Sequence, residues 1–305
     1  MSPAASESIR TPSGASIAVY RAGEATRPTV VLVHGFPDDH TVWDRIVVQL
    51  AAHHHVATYD VRGAGGSSKP KRFAHYRLDV LAEDLQAVID HVNGGNGVHL
   101  VGHDWGSVQG WHLVTDPAHR GVLSYTSIAG PCIDHLRGWI ARKARARRWL
   151  DIVALCKSPL YMGLLSVPLV APLLCRLGLV DLAVAAATKV FERPEPIDAP
   201  PANPSARRNA ASVRIYAANL PPRLMYGDHG GTEVPVRVLA PTGDIFVPPV
   251  CQRDPHPDIT TIRVEPVPGG HWAPAHNATA VARYIASWIH THDTTNSPAS
   301  TRRTT

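Results

Sequence analysis

Short apolar runs alternate with longer segments of helical period over most of the chain. The runs TVVLVHG (29–35), HVATYD (55–60), VHLVGH (98–103) and VLSYTSIAG (122–130) are rich in β-branched residues and end in turn residues, as buried parallel strands do. Between them Leu78, Leu81, Leu85, Val88, Ile89 and Val92 recur mainly at steps of three and four. The NGG at 93–95 then stops the pattern, which predicts one helix closed by a C-cap. From residue 14 to about 130 this alternation predicts a parallel sheet covered by helices. The rhythm returns with VPVRVLA (234–240) and ITTIRVE (259–265) as strands, and a last helix carries Val281, Tyr284, Ile285, Trp288 and Ile289 on one face.

The spacing of these blocks predicts a division into a first core part (1–130), a helical cap (131–230), a second core part (231–292) and a disordered polar tail (293–305). The cap region is rich in Arg, Leu and Pro and has no strand signal. Inside it, SPLYMGLLSVPLVAPLLC (158–175) runs for eighteen residues without a charge, just reaching the length at which a membrane span must be considered. Pro168 and Pro172 would break a simple helix, and Arg176 and Asp181 follow at once, so a cap burying an apolar pocket is the expected reading. A surface-seeking segment that works with nearby cations is the alternative.

Those cations change the picture little by themselves. The formal charge is +5, and Arg137, Arg142, Lys143, Arg145, Arg147 and Arg148 fall within twelve positions, the ordinary reading of which is a solvated helix face. No nucleic-acid partner is expected, whereas peripheral membrane contact through the cap and a homodimer are both compatible with the sequence. Cys132, Cys156, Cys175 and Cys251 are far apart with no CxxC pair, which predicts free thiols. His53, His54 and His55 are consecutive and would alternate faces on a strand, so no metal site is expected from them. The N-terminus MSPAASESIR lacks a basic start with an apolar stretch, and a cytoplasmic, conceivably membrane-associated, protein is expected.

The chemistry centres on GHDWG (102–106), which sets Asp104 between two glycines at a strand exit. One reading is an aspartate capping the following helix. The other is a strand-turn-helix elbow that presents a nucleophile, where the turn is so tight that small residues must flank the reactive one. Such an elbow needs an acid and then a histidine after the last strands. Asp244 in PTGDIFVPP and His271 in PGGHWAP stand there, in the required chain order, with Asp134 as the reserve acid.

HGFP (34–37), DVRGAGGSS (60–68), GHDWG, GDIFVPP (243–249) and GGHW (269–272) together resemble the α/β-hydrolase superfamily, in its epoxide hydrolase and haloalkane dehalogenase branch with an aspartate nucleophile. The resemblance spans about residues 14–290. It implies an α/β-hydrolase fold, a mostly parallel eight-stranded sheet flanked by helices with an inserted helical cap, and no cofactor. It also implies that the backbone N–H groups of Phe36 and Trp105 form an oxyanion hole, that His34 and Gly35 shape their loop, and that Asp60 and Arg62 are structural. LYMGLLSVP resembles the family's first tyrosine segment and RIYAAN the second, which points to Tyr161 and Tyr216 as the pair that binds the epoxide oxygen. An alkoxide leaving group is a strong base and needs acidic hydrogen bonds, whereas a halide needs only weak donors. Phe36 where dehalogenases usually carry asparagine, and Gly106 with Ser107 where fluoroacetate-type enzymes carry an arginine pair, weigh against halide chemistry. The expected activity is therefore hydrolysis of a small apolar, conceivably lipid-derived, epoxide. A haloalkane dehalogenase, or a non-catalytic lipid-binding protein on the same fold, is the alternative.

Overall fold

The computed structural model describes residues 6–155, 159–191, 205–226, 230–253 and 258–293. Cys156 and the tail beyond residue 293 lie outside the described residues, and with them the expectations made for both.

Eight strands form one sheet: β1 (Ser6–Arg10), β2 (Ser16–Ala22), β3 (Thr29–Val33), β4 (His55–Tyr59), β5 (Val98–His103), β6 (Val122–Ile128), β7 (Val236–Pro241) and β8 (Ile262–Val267). Their order is β1-β2-β4-β3-β5-β6-β7-β8, with β2 antiparallel to both its neighbours and all other pairs parallel. In β3 every residue is buried, because helices cover both sides of the sheet. Val31 and Val33 join one apolar cluster and Val30 and Leu32 the other, as the two-residue period of a strand requires.

On the first face α2 (Leu78–Val92) and α3 (Trp105–Val114) pack against the strands; on the second lie α1 (Asp44–Leu50) and the C-terminal α12 (Ala278–His292). Helix α2 starts at Leu78, ends at Val92 and buries Leu78, Leu81, Leu85, Val88, Ile89 and Val92, the face its spacing predicts. Gly94 and Gly95 follow with positive φ.

Between β6 and β7 the described residues hold helices and turns: α4 (Leu136–Arg145), α5 (Trp149–Leu155), α6 (Pro159–Leu165), α7 (Val170–Arg176), α8 (Leu179–Phe191) and α9 (Arg214–Tyr226). The uncharged stretch is thus split, with Pro168 in the turn between α6 and α7 and Pro172 inside α7. Among the described residues no single helix is long and apolar enough to cross a membrane. Two short helices, α10 (Pro249–Gln252) and α11 (Ala273–His276), follow β7 and β8.

Two strands escaped the reading of the sequence. β1 and β2 lie at the antiparallel edge, and β1 is SESIR with no buried residue, so the apolar run that marks the other strands is missing there. Elsewhere the differences are of ends: β7 and β8 begin two and three residues later than their runs, at Val236 and Ile262.

Candidate active site

In a doubly wound sheet ligands sit beyond the carboxyl ends of the strands, and that is where Phe36, Asp104, Asp244 and His271 gather, after β3, β5, β7 and β8. Asp104 occupies the turn between β5 and α3 with φ 52 and ψ −123, a backbone conformation that side-chain-bearing residues rarely hold. The turn is tight enough that a Cβ at Gly106 would collide with the Val33 carbonyl oxygen, and one at Gly102 with that of Gly106. Although Asp104 stands at the N-cap position of α3, its side chain makes no capping hydrogen bond. The carboxylate turns instead toward the loop after β3, where Phe36 N–H donates to Oδ2 at 2.8 Å. The Trp105 N–H also donates to the carboxylate.

The second oxygen, Oδ1, lies 3.6 Å from His271 Nε2. On the far side of the ring His271 Nδ1 meets Asp244 Oδ2 at 3.0 Å. Asp244 is fixed in turn by the N–H groups of Phe246 and Val247, which donate to its Oδ1 at 2.9 and 2.8 Å. Carboxylate, imidazole and carboxylate form one chain. Asp134 is not part of it: its carboxylate faces Arg223 at 3.3 Å and His112 Nδ1 at 3.4 Å. Arg62 and Asp84 make a buried two-pronged pair at 2.8 and 2.7 Å, and Asp60 accepts from Tyr20, His40 and Gly66, so these motif residues hold loops. His34 Nε2 accepts from Val61 N–H at 2.8 Å and shapes the same region.

Above Asp104 the helical insertion supplies Tyr161 from α6 and Tyr216 from α9. Both line a small chamber of about 40 Å³ together with Asp104, Phe36 and His271. Tyr216 is buried edge-on against Phe36 and Trp105, with ring centroids 5.6 and 4.9 Å away. The Tyr161 hydroxyl donates to the Phe246 carbonyl at 3.1 Å. Burial first, and the Asp104 charge next, push both phenols well above their ordinary range, so they stay protonated. Burial also pushes Asp104 up to about 6, against the downward pull of His271 and the two amides. Two larger cavities adjoin the chamber, about 480 Å³ on the side of Trp105, Val108 and Leu220, and about 980 Å³ between α8 and the Phe246 loop. Their walls are overwhelmingly aliphatic.

A family model described as alpha/beta hydrolase fold matches residues 28–277. The chain belongs to the α/β-hydrolase family. The chain is 36% identical over 287 residues to "Probable oxidoreductase EphD" of Mycobacterium tuberculosis, a match that takes in 91% of the chain and 48% of that relative. The chain therefore spans about half the length of that curated relative. It is 39% identical over 121 residues to "Epoxide hydrolase A" of the same organism, covering 39% of this chain and 37% of that one. A solved structure described under novel epoxide hydrolases from metagenomes of hot environments has the same fold, with a TM-score of 0.74 at 20% identity, covering 93% of this chain and 98% of that one.

Two parts of the site escaped the sequence reading. Asp38, directly after HGFP, is buried behind the imidazole and accepts from the Trp272 indole N–H at 3.1 Å; burial and then the charge of Asp104 push it up to about 8. Its signal was an acid placed at a strand exit that apolar neighbours were bound to bury. Phe246 packs its ring 5.4 Å from His271 while its carbonyl accepts from Tyr161, and an aromatic in a loop motif gives no hint of that.

Proposed function

We propose that the chain is an epoxide hydrolase that turns an apolar epoxide into a vicinal diol through a covalent ester on Asp104. One observation carries the reading: the two oxygens of a single buried carboxylate are differentiated, Oδ2 held by the Phe36 amide and Oδ1 left toward His271 in a chamber shared with two protonated phenols. Oδ1 attacks a ring carbon, the carbon–oxygen bond opens, and Tyr161 or Tyr216 supplies a proton to the departing alkoxide. Tyr161 gives up its bond to Phe246 in doing so. His271, oriented by Asp244, then takes a proton from water, and the hydroxide adds to Cγ of the ester. The negative charge develops on Oδ2, where the Phe36 amide already points. Collapse expels the alkoxide carrying Oδ1, which takes the proton back from His271 to give the diol; the water oxygen stays on Asp104, whose acid proton returns to the phenolate and restores carboxylate and phenol.

The relatives known as epoxide hydrolases support the reaction class. The oxidoreductase name belongs to a relative about twice as long as the matched segment. The half shared with it holds a carboxylate–imidazole–carboxylate chain, which is machinery for nucleophilic attack and ester hydrolysis. The aliphatic walls of the adjoining cavities favour an apolar substrate, lipid-derived epoxides included.

In a His271→Gln variant mixed with styrene oxide, ester formation should proceed and its hydrolysis stall. Intact-mass analysis should find the protein heavier by one substrate, with the addition on Asp104. A protein of unchanged mass that still consumes the epoxide would count against the ester.

A further inference from the structure

We infer that the outer face of α5, α7 and α8 docks on an anionic lipid bilayer and that the large cavity beneath it opens toward that bilayer. The sense in which this delivers substrate rests on the reading above, whereas the docking itself does not.

Sixteen large hydrophobic side chains are exposed among the described residues, and twelve of them lie between Trp149 and Val190. They are arranged by helical period. Leu169, Leu173 and Leu177 form one stripe along α7, at 80%, 55% and 62% exposure, and Leu179, Leu182 and Val190 lie along the outer side of α8. The inner side of the same pair is apolar too: Leu174, Val180 and Val184 line the large cavity. A helix apolar all round belongs in a protein core or against lipid, and these two have a core on only one side. Leu164 and Leu179 are about half exposed and also line that cavity, so its mouth opens within the apolar face.

Charge selects the occupant. Residues 131–191 hold nine Lys and Arg against three Asp and no Glu. Each acid is engaged within the protein: Asp134 with Arg223 and His112, Asp151 with Lys143 and Arg148, and Asp181 with the Ala206 and Arg207 N–H groups. Arg145, Arg147 and Arg148 are exposed and run straight into exposed Trp149 and Leu150, while exposed Arg176 and Lys189 lie on the α7–α8 pair. An aromatic and leucines next to a row of cations is the chemistry that inserts shallowly among acyl chains while pairing with anionic headgroups. A second protein would match the leucines but not the excess of cations beside them.

The test uses the full chain and vesicles of phosphatidylcholine, with or without about 30% phosphatidylglycerol. The protein should co-sediment with the anionic vesicles, scarcely with the neutral ones, and come off near about 0.5 M salt as the Debye length shrinks. A Leu150→Glu/Leu169→Glu/Leu173→Glu variant should lose at least about tenfold in vesicle affinity while keeping its turnover of water-soluble styrene oxide, since none of the three lines a cavity. Should that variant fail to fold, Arg145→Gln and Arg147→Gln should each weaken binding about fivefold. Equal or absent binding to both vesicle types would overturn the docking. So would a stable dimer in solution that the leucine variant abolishes, because a second copy would then cover the face. Vesicle binding without diol formation would sink the catalytic reading alone; diol formation without vesicle binding would sink this one alone.

Discussion

At the residue scale the site depends on how one carboxylate is solvated. Asp104 is out of water, which raises its pKa to about 6, and it remains ionised at neutral pH because an imidazole and two amides face it. In the proposed reaction the nucleophile is the ionised form, so the sign follows directly: above about pH 6 the attacking species is complete, and below it protonation removes about tenfold per unit. Single-turnover ester formation measured against pH should therefore show an acid limb near 6. A limb near 4, the ordinary aspartate range, would mean that the carboxylate is hydrated. The tyrosines, pushed the opposite way from deprotonation, should add no alkaline limb to that step below about pH 10. GHDWG made the position of Asp104 legible; its desolvation was not, because burial comes from α6 and α9, whose packing no local pattern reveals.

At the element scale, the loops that carry the site are tied down by polar groups that themselves do no chemistry. Arg62 reaches from the loop after β4 to Asp84 on α2, and both side chains are 2% exposed. Replacing Arg62 with alanine leaves Asp84 buried and unpaired, at a cost of about 3–5 kcal/mol. Denaturant unfolding should register that loss. A cost below about 1 kcal/mol would show that the pair is neutral in the fold. The strands β3 to β7 and helix α2 could be read from the chain because each buries a run or a stripe of its own residues, whereas β8 was legible from its β-branched run alone, with only Val267 buried in it. β1 could not, since it is held by pairing at the sheet edge and buries no residue, and β2 offered only Ile17 and Val19 as buried apolar residues in an otherwise partly exposed run. Pro168 announced the turn between α6 and α7, but Pro172, expected to break a helix as well, lies in the first turn of α7, and no pattern showed that α7 would keep leucines on its outer side.

At the scale of the whole molecule, the sheet order converts distance in sequence into contact. β5 lies beside β3 and the run β5-β6-β7-β8 is continuous, so residues 36, 104, 244 and 271 arrive at one edge although they are spread over most of the chain. The chain order of Asp104, Asp244 and His271 was visible in the sequence with Asp134 as a second candidate; the choice needed coordinates, because both acids follow strands and of the two Asp244 meets the imidazole. The insertion then closes that edge with two phenols below and turns an apolar, cation-bordered face outward. The central claim is that the oxygen added to substrate comes first from Asp104. A single turnover in heavy-oxygen water, with enzyme in excess, tests it most directly. The account predicts a first diol bearing ordinary oxygen and heavy label on the peptide that contains Asp104; a first diol already labelled, with that peptide unlabelled, would mean that water opens the ring and that no ester forms.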